Sequence, residues 1–300
     1  MRKNRHMAGR FAPSPTSALH LGNLRTALLA WLAARSTGRA LLLRIEDLDT
    51  QRVAAAPAVA AGQIADLAAL GLDFDGDVVW QSQRLGRYAD AVERLPTYEC
   101  FCTRREIAEA ASAPQGDGYR PYPGTCAGLG ERERAERRSI RQPALRVRAG
   151  GVIQTVTDVL AGEVTGVVDD FVVVRNDGVP AYNLAVVVDD VAHGVDQVVR
   201  GDDLLSSSPR QAWLTRHLGG SVPEYLHVPL VLNAQGERLA KRDGAVTLGE
   251  LAADGVDPGA VLSLLGHSLD LNEADEPVST RVLLDRFDPL RVPRAPWTLR

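Results

Sequence analysis

The chain has 300 residues, 45% of them hydrophobic, and a formal net charge of -4 at pH 7. That size suits one large domain with an insertion, or two domains, around a globular core. The charge argues against a broadly basic nucleic-acid coat but not against a local basic patch, and no apolar run reaches the ~18–20 residues of a membrane span.

The start, MRKNRHMAGRFAPSPT, has no apolar stretch of signal-peptide type, so a cytoplasmic protein with no membrane partner is expected. GRFAPSP reads as a short strand entering a Pro-rich loop. Residues 23–35 place Leu24, Leu28, Trp31 and Leu32 at helical spacing, with Gly38 as the C-cap. Residues 39–49 form an apolar run ending in acids, the pattern of a buried parallel strand with a carboxylate loop at its carboxyl end. The Ala-rich segment 53–71 reads as a helix. This β-loop-α-β-α beginning predicts a doubly wound α/β sheet, with ligands bound outside the carboxyl ends of its strands. H-x-G-N (20–23) and R-I-E-D-L-D (44–49) both fall there.

A further helix is expected over 86–96, then an irregular stretch, 97–130, rich in Gly, Pro and Tyr. Strand-like runs alternate with turns over 144–180, and Asn176-Asp177-Gly178 is a hairpin turn signal. PAYNLAVVVDD (180–190) fits either a strand or a helix, and 196–205 a strand end. SSSPRQAWLTRHLG begins with Ser/Pro capping chemistry and reads as a helix. A strand, a loop at 233–236 and a lysine segment follow over 227–248, then short helices around 251–255 and 260–271.

Three features carry chemistry. A helix start with free N–H groups at H-x-G-N favours phosphate; His20 can hydrogen-bond a phosphoryl oxygen, and Gly22 lets a flat ring such as adenine lie against the backbone. Of 34 basic residues only Lys3 and Lys241 are lysines, so Lys241 marks a place where a mobile ammonium is wanted rather than a planar guanidinium. The three cysteines all fall within 100–126. Their odd number rules out complete internal pairing, and their clustering favours metal. Three thiolates lack one ligand of a closed tetrahedral zinc site, for which Tyr119, Tyr122 and water are candidates. The loop has few apolar residues, which suggests a structural metal. The arginine-rich segment 131–148 is either a solvated helix face or an RNA contact.

In order, R-F-A-P-S-P-T (10–16), H-L-G-N (20–23), R-I-E-D-L-D (44–49), P-A-Y-N-L-A-V-V-V-D-D (180–190), V-V-R-G-D-D-L-L (198–205) and R-L-A-K-R (238–242) resemble the catalytic core of class I glutamyl-tRNA synthetases. The resemblance implies a Rossmann-like α/β catalytic domain split into 1–98 and 182–244. It further implies an acceptor-binding-like insertion at 99–181, a helical segment at 245–300 and no anticodon-binding domain. Cys100-Phe101-Cys102 and Tyr122-Pro-Gly-Thr-Cys126 match the C-x-C … Y-x3-C zinc pattern of one truncated paralogous family, the glutamyl-Q tRNA(Asp) synthetases. That similarity implies tRNA-independent, ATP-dependent activation of L-glutamate to the adenylate, then transfer to the queuosine base in the anticodon of tRNA(Asp), by a cytoplasmic monomer.

Carried onto this chain, the resemblance implies glutamate contacts from Arg10, Phe11, Ala12, Pro13, Ser14, Glu46, Tyr182 and Arg200. The arginines would fork the carboxylates and Glu46 would hold the ammonium. ATP would meet His20, Gly22, Asn23 and Lys241, with His20 and Lys241 catalytic and Mg2+ accompanying the nucleotide. One structural Zn2+ would sit on Cys100, Cys102, Tyr122 and Cys126. The lysine signature departs from the usual K-[LM]-S-K-x at Arg238 and Ala240, and Ser17 replaces a common glycine. Asp47, Asp49, Asp189 and Asp190 fit either Mg2+ or turn caps, and His227 either stacks near adenine or has no role. The alternatives are a minimal synthetase charging a tRNA 3′ end and a non-catalytic RNA-binding paralogue.

Overall fold

The computed structural model describes residues 7–49, 53, 55–103, 105–107, 121–237, 239 and 246–299. The strands among them are β1 (Ala8–Phe11), β2 (Ala40–Ile45), β3 (Val79–Trp80), β4 (Thr97–Cys100), β5 (Ala144–Val147), β6 (Val152–Asp158), β7 (Gly162–Val168), β8 (Val172–Val174), β9 (Val195–Gly201), β10 (Glu224–Val228), β11 (Val231–Leu232) and β12 (Trp297–Thr298). The α-helices are α1 (Leu21–Ser36), α2 (Ala56–Ala69), α3 (Leu85–Glu93), α4 (Glu131–Arg138), α5 (Tyr182–His193), α6 (Ser208–His217), α7 (Leu248–Ala253), α8 (Pro258–His267) and α9 (Thr280–Arg286).

A seven-stranded sheet runs β3-β2-β1-β9-β10-β6-β7. Its pairings from β3 to β6 are parallel, and β7 alone is antiparallel, joined to β6 as a hairpin. From β1 the chain first moves to β2 on one side, and much later returns as β9 on the other. Such a reversal opens a crevice at the carboxyl ends of the two central strands. The hairpin at 152–168 lies inside the span expected for the insertion, yet it is the edge of the large sheet. A separate antiparallel sheet, β4-β5-β8, carries the cysteine segment.

Strand alternation sorts the core into two layers. Leu41, Leu43, Val199, Leu226 and Val228 face α1 and the C-terminal helices. Leu42, Val198 and Tyr225 face the other way, with Ala212 of α6. Helix α1 is buried on eleven of its sixteen residues, because the sheet covers one side and α8 and α9 cover another. A helix enclosed in this way is apolar nearly all round. Its buried Arg25 donates to Pro229 O (3.0 Å) and to Ser268 Oγ (3.0 Å), tying α1 to the C-terminal helices; burial lowers its pKa to about 10. Gly38 ends the α1 region at φ +67°, and Gly178 turns the chain after β8 at φ +81°, both conformations that favour glycine.

The segment 180–190 resolves as α5. Its β-branched run Val186-Val187-Val188 suits a strand locally, but all three are buried in a helix layer, so packing overrides propensity. Helix α5 also supplies Asp189, whose side chain is fully enclosed. It accepts from Arg84 Nε (2.6 Å), Gln81 Nε2 (2.9 Å) and Tyr88 Oη (2.9 Å). No described helix is long and apolar enough to cross a membrane.

Removing a partner from a buried charge network costs about 3–5 kcal/mol, against at most about 1 kcal/mol for an exposed pair. Asp189→Ala is expected to lower urea-unfolding stability by that larger amount, while Arg281→Ala, from the exposed Arg281–Asp285 pair, shifts it little.

Candidate active site

The residues of interest sit where adjacent parallel strands end. Arg10, Arg200 and His227 are the penultimate residues of β1, β9 and β10, and Glu46 follows β2. Arg10, Glu46 and Arg200 border a cavity of about 780 Å3, and His227 lies buried behind Arg200. Arg10, Phe11, Ala12, Pro13, Ser14, His20, Gly22, Asn23, Glu46, Tyr182 and Arg200 all line it. Lys241, Arg238 and Ala240 lie outside the described residues, but Leu239, between them, lines the same cavity. A second cavity, about 410 Å3 beside Arg286 and Arg291, contains none of these groups.

H-x-G-N folds as a capping box. His20 is the N-cap of α1, and its Nδ1 accepts from the N–H groups of Gly22 (3.1 Å) and Asn23 (3.3 Å). Asn23 Oδ1 accepts in turn from His20 N–H (3.3 Å). Those two helix-start donors, expected to be free for phosphate, are thus occupied by the histidine itself. With Nδ1 accepting, the neutral ring carries its proton on Nε2. A Cβ on Gly22 would lie 3.0 Å from His20 Cε1. The glycine therefore makes room for the imidazole while also lining the cavity.

A charge lattice lies beneath the cavity. Asp190 takes Arg44 Nη1 at 2.6 Å and lies 3.5 Å from Arg10 Nε. Arg44 Nη2 lies 3.5 Å from Glu46 Oε1. Burial raises the Glu46 pKa, and Arg44 and Arg10 offset this only in part. A ligand ammonium would supply the missing positive charge. Burial also raises Asp190, but Arg44 and Arg10 outweigh it and hold the carboxyl below its usual range. Tyr182 keeps 40% of its surface exposed, on the cavity wall. Asp47 accepts from Ser82 N–H (2.8 Å) and Oγ (2.6 Å), and Asp49 pairs with Arg175. Both acids are held in loop contacts.

Arg200 is gripped from several sides. Its Nε donates to His227 Nε2 (2.9 Å), Nη1 to Gln211 Oε1 (2.7 Å), and Nη2 to Ser208 Oγ (2.9 Å) and Leu204 O (3.3 Å). His227 is 3% exposed and its Nδ1 lies 2.7 Å from Asp158 Oδ2. It belongs to this buried chain, which corrects the thought that it stacks on adenine. Asp190, Arg44, Asp158, Gln211 and Ser208 were not singled out as site residues from sequence. Only the acids of the D-D pair at 189–190 gave any signal.

Cys100, Cys102 and Cys126 converge. Tyr122 Oη is 3.4 Å from Cys100 Sγ and 3.6 Å from Cys102 Sγ, and the Cys102 and Cys126 sulfurs are 3.5 Å apart. Zinc bonds of about 2.0–2.3 Å imply tetrahedron edges of roughly 3.3–3.8 Å, so this donor set fits. Without metal, burial raises the Cys102 thiol to about 12, and burial followed by its thiol contacts raises the Tyr122 phenol. Binding would have to release these protons. Arg146 stacks on the Tyr122 ring at 3.7 Å. Tyr98, Phe101 and Leu129 pack around the cluster, so this segment does bury apolar surface, more than its composition suggested. The arginines of α4 pair mostly with Glu99, Glu131 and Glu136, which favours the solvated-face reading of that part of 131–148.

The family described as tRNA synthetases class I (E and Q), catalytic domain, matches residues 6–287. A glutamyl-Q tRNA(Asp) synthetase of Nocardia farcinica is 59% identical, over 97% of this chain and 93% of its own. One from Cutibacterium acnes is 58% identical, over 91% and 79%. Among solved structures, a glutamate tRNA ligase from Elizabethkingia meningosepticum in complex with its amino acid superposes with TM-score 0.80 at 26% identity, covering 98% of this chain and 67% of that one.

Burial lowers the His227 pKa, and the Asp158 contact opposes it only in part. The unfolded chain therefore takes up this proton first as pH falls. Stability should decline below about pH 6.5 until the folded-state value is reached, by up to about 1.4 kcal/mol per pH unit. Urea unfolding between about pH 7.5 and about pH 5 checks this; His227→Gln should remove that part of the slope.

Proposed function

The chain belongs to the class I tRNA synthetases for glutamate and glutamine, in the branch of the glutamyl-Q tRNA(Asp) synthetases, and on that premise we propose that it joins L-glutamate to the queuosine base of tRNA(Asp) in two steps. It is a ligase of the aminoacyl-tRNA synthetase kind. The observation that carries the substrate reading is the cavity at the strand ends, where two arginines and a half-buried, proton-prone glutamate meet. An amino acid with two carboxylates and one ammonium matches that set.

Glutamate is taken up by Arg10 and Arg200 at its carboxylates and by Glu46 at its ammonium, with Tyr182 beside it and Phe11, Ala12, Pro13 and Ser14 shaping the loop. A carboxylate oxygen attacks the α-phosphorus of ATP; the new C–O–P bond forms as the bond to pyrophosphate breaks. His20 donates from Nε2 to a phosphoryl oxygen, and Lys241 adds charge where it builds in the transition state. Gly22 and Asn23 hold the histidine in place beside the nucleotide. Mg2+ bound with ATP would neutralise phosphate charge. A queuosine hydroxyl then attacks the adenylate carbonyl, an ester forms, its proton is released and AMP leaves. Catalysis rests on positioning and electrostatics, with no covalent enzyme intermediate. Activation proceeds without tRNA, in a cytoplasmic monomer. Residues 1–98 and 182–244 form the catalytic halves and 99–181 the insertion, whose hairpin at 152–168 extends the catalytic sheet, with 245–300 as the helical segment.

The three thiols and the Tyr122 phenol would hold one structural Zn2+. Chelation, or Cys126→Ser, is expected to abolish stoichiometric zinc by metal analysis and to lower the melting temperature.

The deciding experiment follows labelled glutamate onto tRNA(Asp) with and without queuosine. Label on the queuosine form alone, surviving removal of the 3′-terminal adenosine, supports the reading. Label lost with that adenosine means 3′-end charging, and no transfer or pyrophosphate exchange means a non-catalytic paralogue. Lys241→Ala is expected to cut glutamate-dependent pyrophosphate exchange by about 100-fold or more, with little change in melting temperature.

A further inference from the structure

We propose that Asp158 and His227 form a buried relay that positions Arg200 for the substrate carboxylate, so that the β6–β7 hairpin sets the affinity of the amino-acid pocket. The inference rests on the reading of Arg200 as a glutamate contact.

Asp158 ends β6 and is 2% exposed. Its Oδ1 accepts from the N–H groups of Leu160 (2.9 Å) and Ala161 (2.8 Å), which locks the carboxylate into the hairpin turn. Its Oδ2 accepts from His227 N–H (2.9 Å) and from Nδ1 (2.7 Å). A carboxylate only accepts, so the proton of neutral His227 sits on Nδ1. That leaves the Nε2 lone pair facing Arg200 Nε, 2.9 Å away. A guanidinium only donates, so the opposite tautomer would set N–H against N–H. The acid on one side and the arginine on the other therefore demand the same tautomer.

The consequence falls on the guanidinium. Of its five N–H bonds, four are committed to His227, Gln211, Ser208 and Leu204. One Nη1 hydrogen and the positive charge remain for the cavity that Arg200 lines. Gln211 and Ser208 belong to α6, and Gln211 itself leans on Asn183 Oδ1 (3.0 Å). Among the described residues His227 is the acceptor for Nε, and with the Nη contacts it completes the orientation of the plane. Ser208 Oγ lies 3.3 Å from the His227 ring and the Tyr225 ring stacks on it at 5.6 Å, while Arg10 and Asp202 act on it electrostatically. His227 and Asp158 thus act through Arg200 as positioning residues.

The two amides that mimic histidine separate this role from mere core packing. In His227→Gln, Oε1 reaches the place of Nε2 and still accepts from Arg200. In His227→Asn, the amide reaches Asp158 but leaves Arg200 Nε without an acceptor. Asp158→Asn invites the wrong tautomer, as the corresponding change does in a catalytic triad. Glutamate-dependent pyrophosphate exchange should show KM for glutamate raised about tenfold or more in His227→Asn and Asp158→Asn, the loss of one charge-assisted hydrogen bond. KM for ATP should stay within about twofold, and His227→Gln within about threefold of wild type for glutamate. Equal glutamate KM values in the two His227 variants, or parallel changes in both KM values, would overturn the relay. Nitrogen-15 NMR of the wild-type chain reads it independently of any variant: Nδ1–H is expected, and an Nε2–H tautomer excludes it. Arg200→Ala separates the premise. If it leaves KM for glutamate unchanged, Arg200 is not a substrate contact; if it raises KM while His227→Asn does not, the relay fails.

Discussion

Two guanidinium groups on neighbouring parallel strands share one carboxylate. Arg10 on β1 and Arg44 on β2 both turn toward Asp190 of α5, and most of what the site can do depends on that sharing. Like charges this close would not stay folded in a dry interior without a counter-charge between them. Asp190 supplies it while packing α5 against the strand ends, and its neighbour Asp189 holds Arg84, Gln81 and Tyr88 on the far side. The same helix begins with Tyr182 on the cavity wall. One short D-D pair therefore anchors both the pocket and the layer behind it. Buried charge networks bring no great stability relative to well-packed apolar groups. Here they place charged groups where an ionic ligand is to be met.

The site is a set of side chains whose second duties hold them still. His20 caps the helix that packs most deeply in the core. Arg200 braces β9 against β10 and α6. Glu46 is near the edge of the charge lattice and is the one member left with an electrostatic deficit. Groups fixed in this way need little reorganisation when a substrate arrives, which is the condition for electrostatic catalysis in a crevice.

Much of this was legible in the residues. The turn residues, the 3.6-residue spacing of α1 and the apolar run of β2 announce a doubly wound sheet, and the motifs fall at strand ends as that topology requires. The cavity gathers every described residue named for it. Three things were not legible. Local propensity could not choose between strand and helix for α5, because the choice rests on burial in a helix layer. The hairpin's place at the sheet edge depends on a pairing between Tyr225 and Asp158 far apart in sequence. The partners of His227 and Gly22 are set by distances of a few ångströms that spacing does not encode. Helix α9 and strand β12 also went unread, being short and built from residues that signal nothing alone.

The return of β9 to the side of β1 shapes how the chain must assemble. Ala8 N–H meets Asp196 across 188 residues, and the helices that cover α1 come later still. During synthesis β2 and α2 can cover part of α1 early, but the β9 side of β1 and the face under α8 and α9 stay open until those segments emerge. Contacts of such separation close slowly, since loop entropy must be met before they reward it. Segments whose partners are made late stay partly uncovered for that time. The order of the strands that creates a ligand crevice also sets a vulnerable interval before the crevice exists.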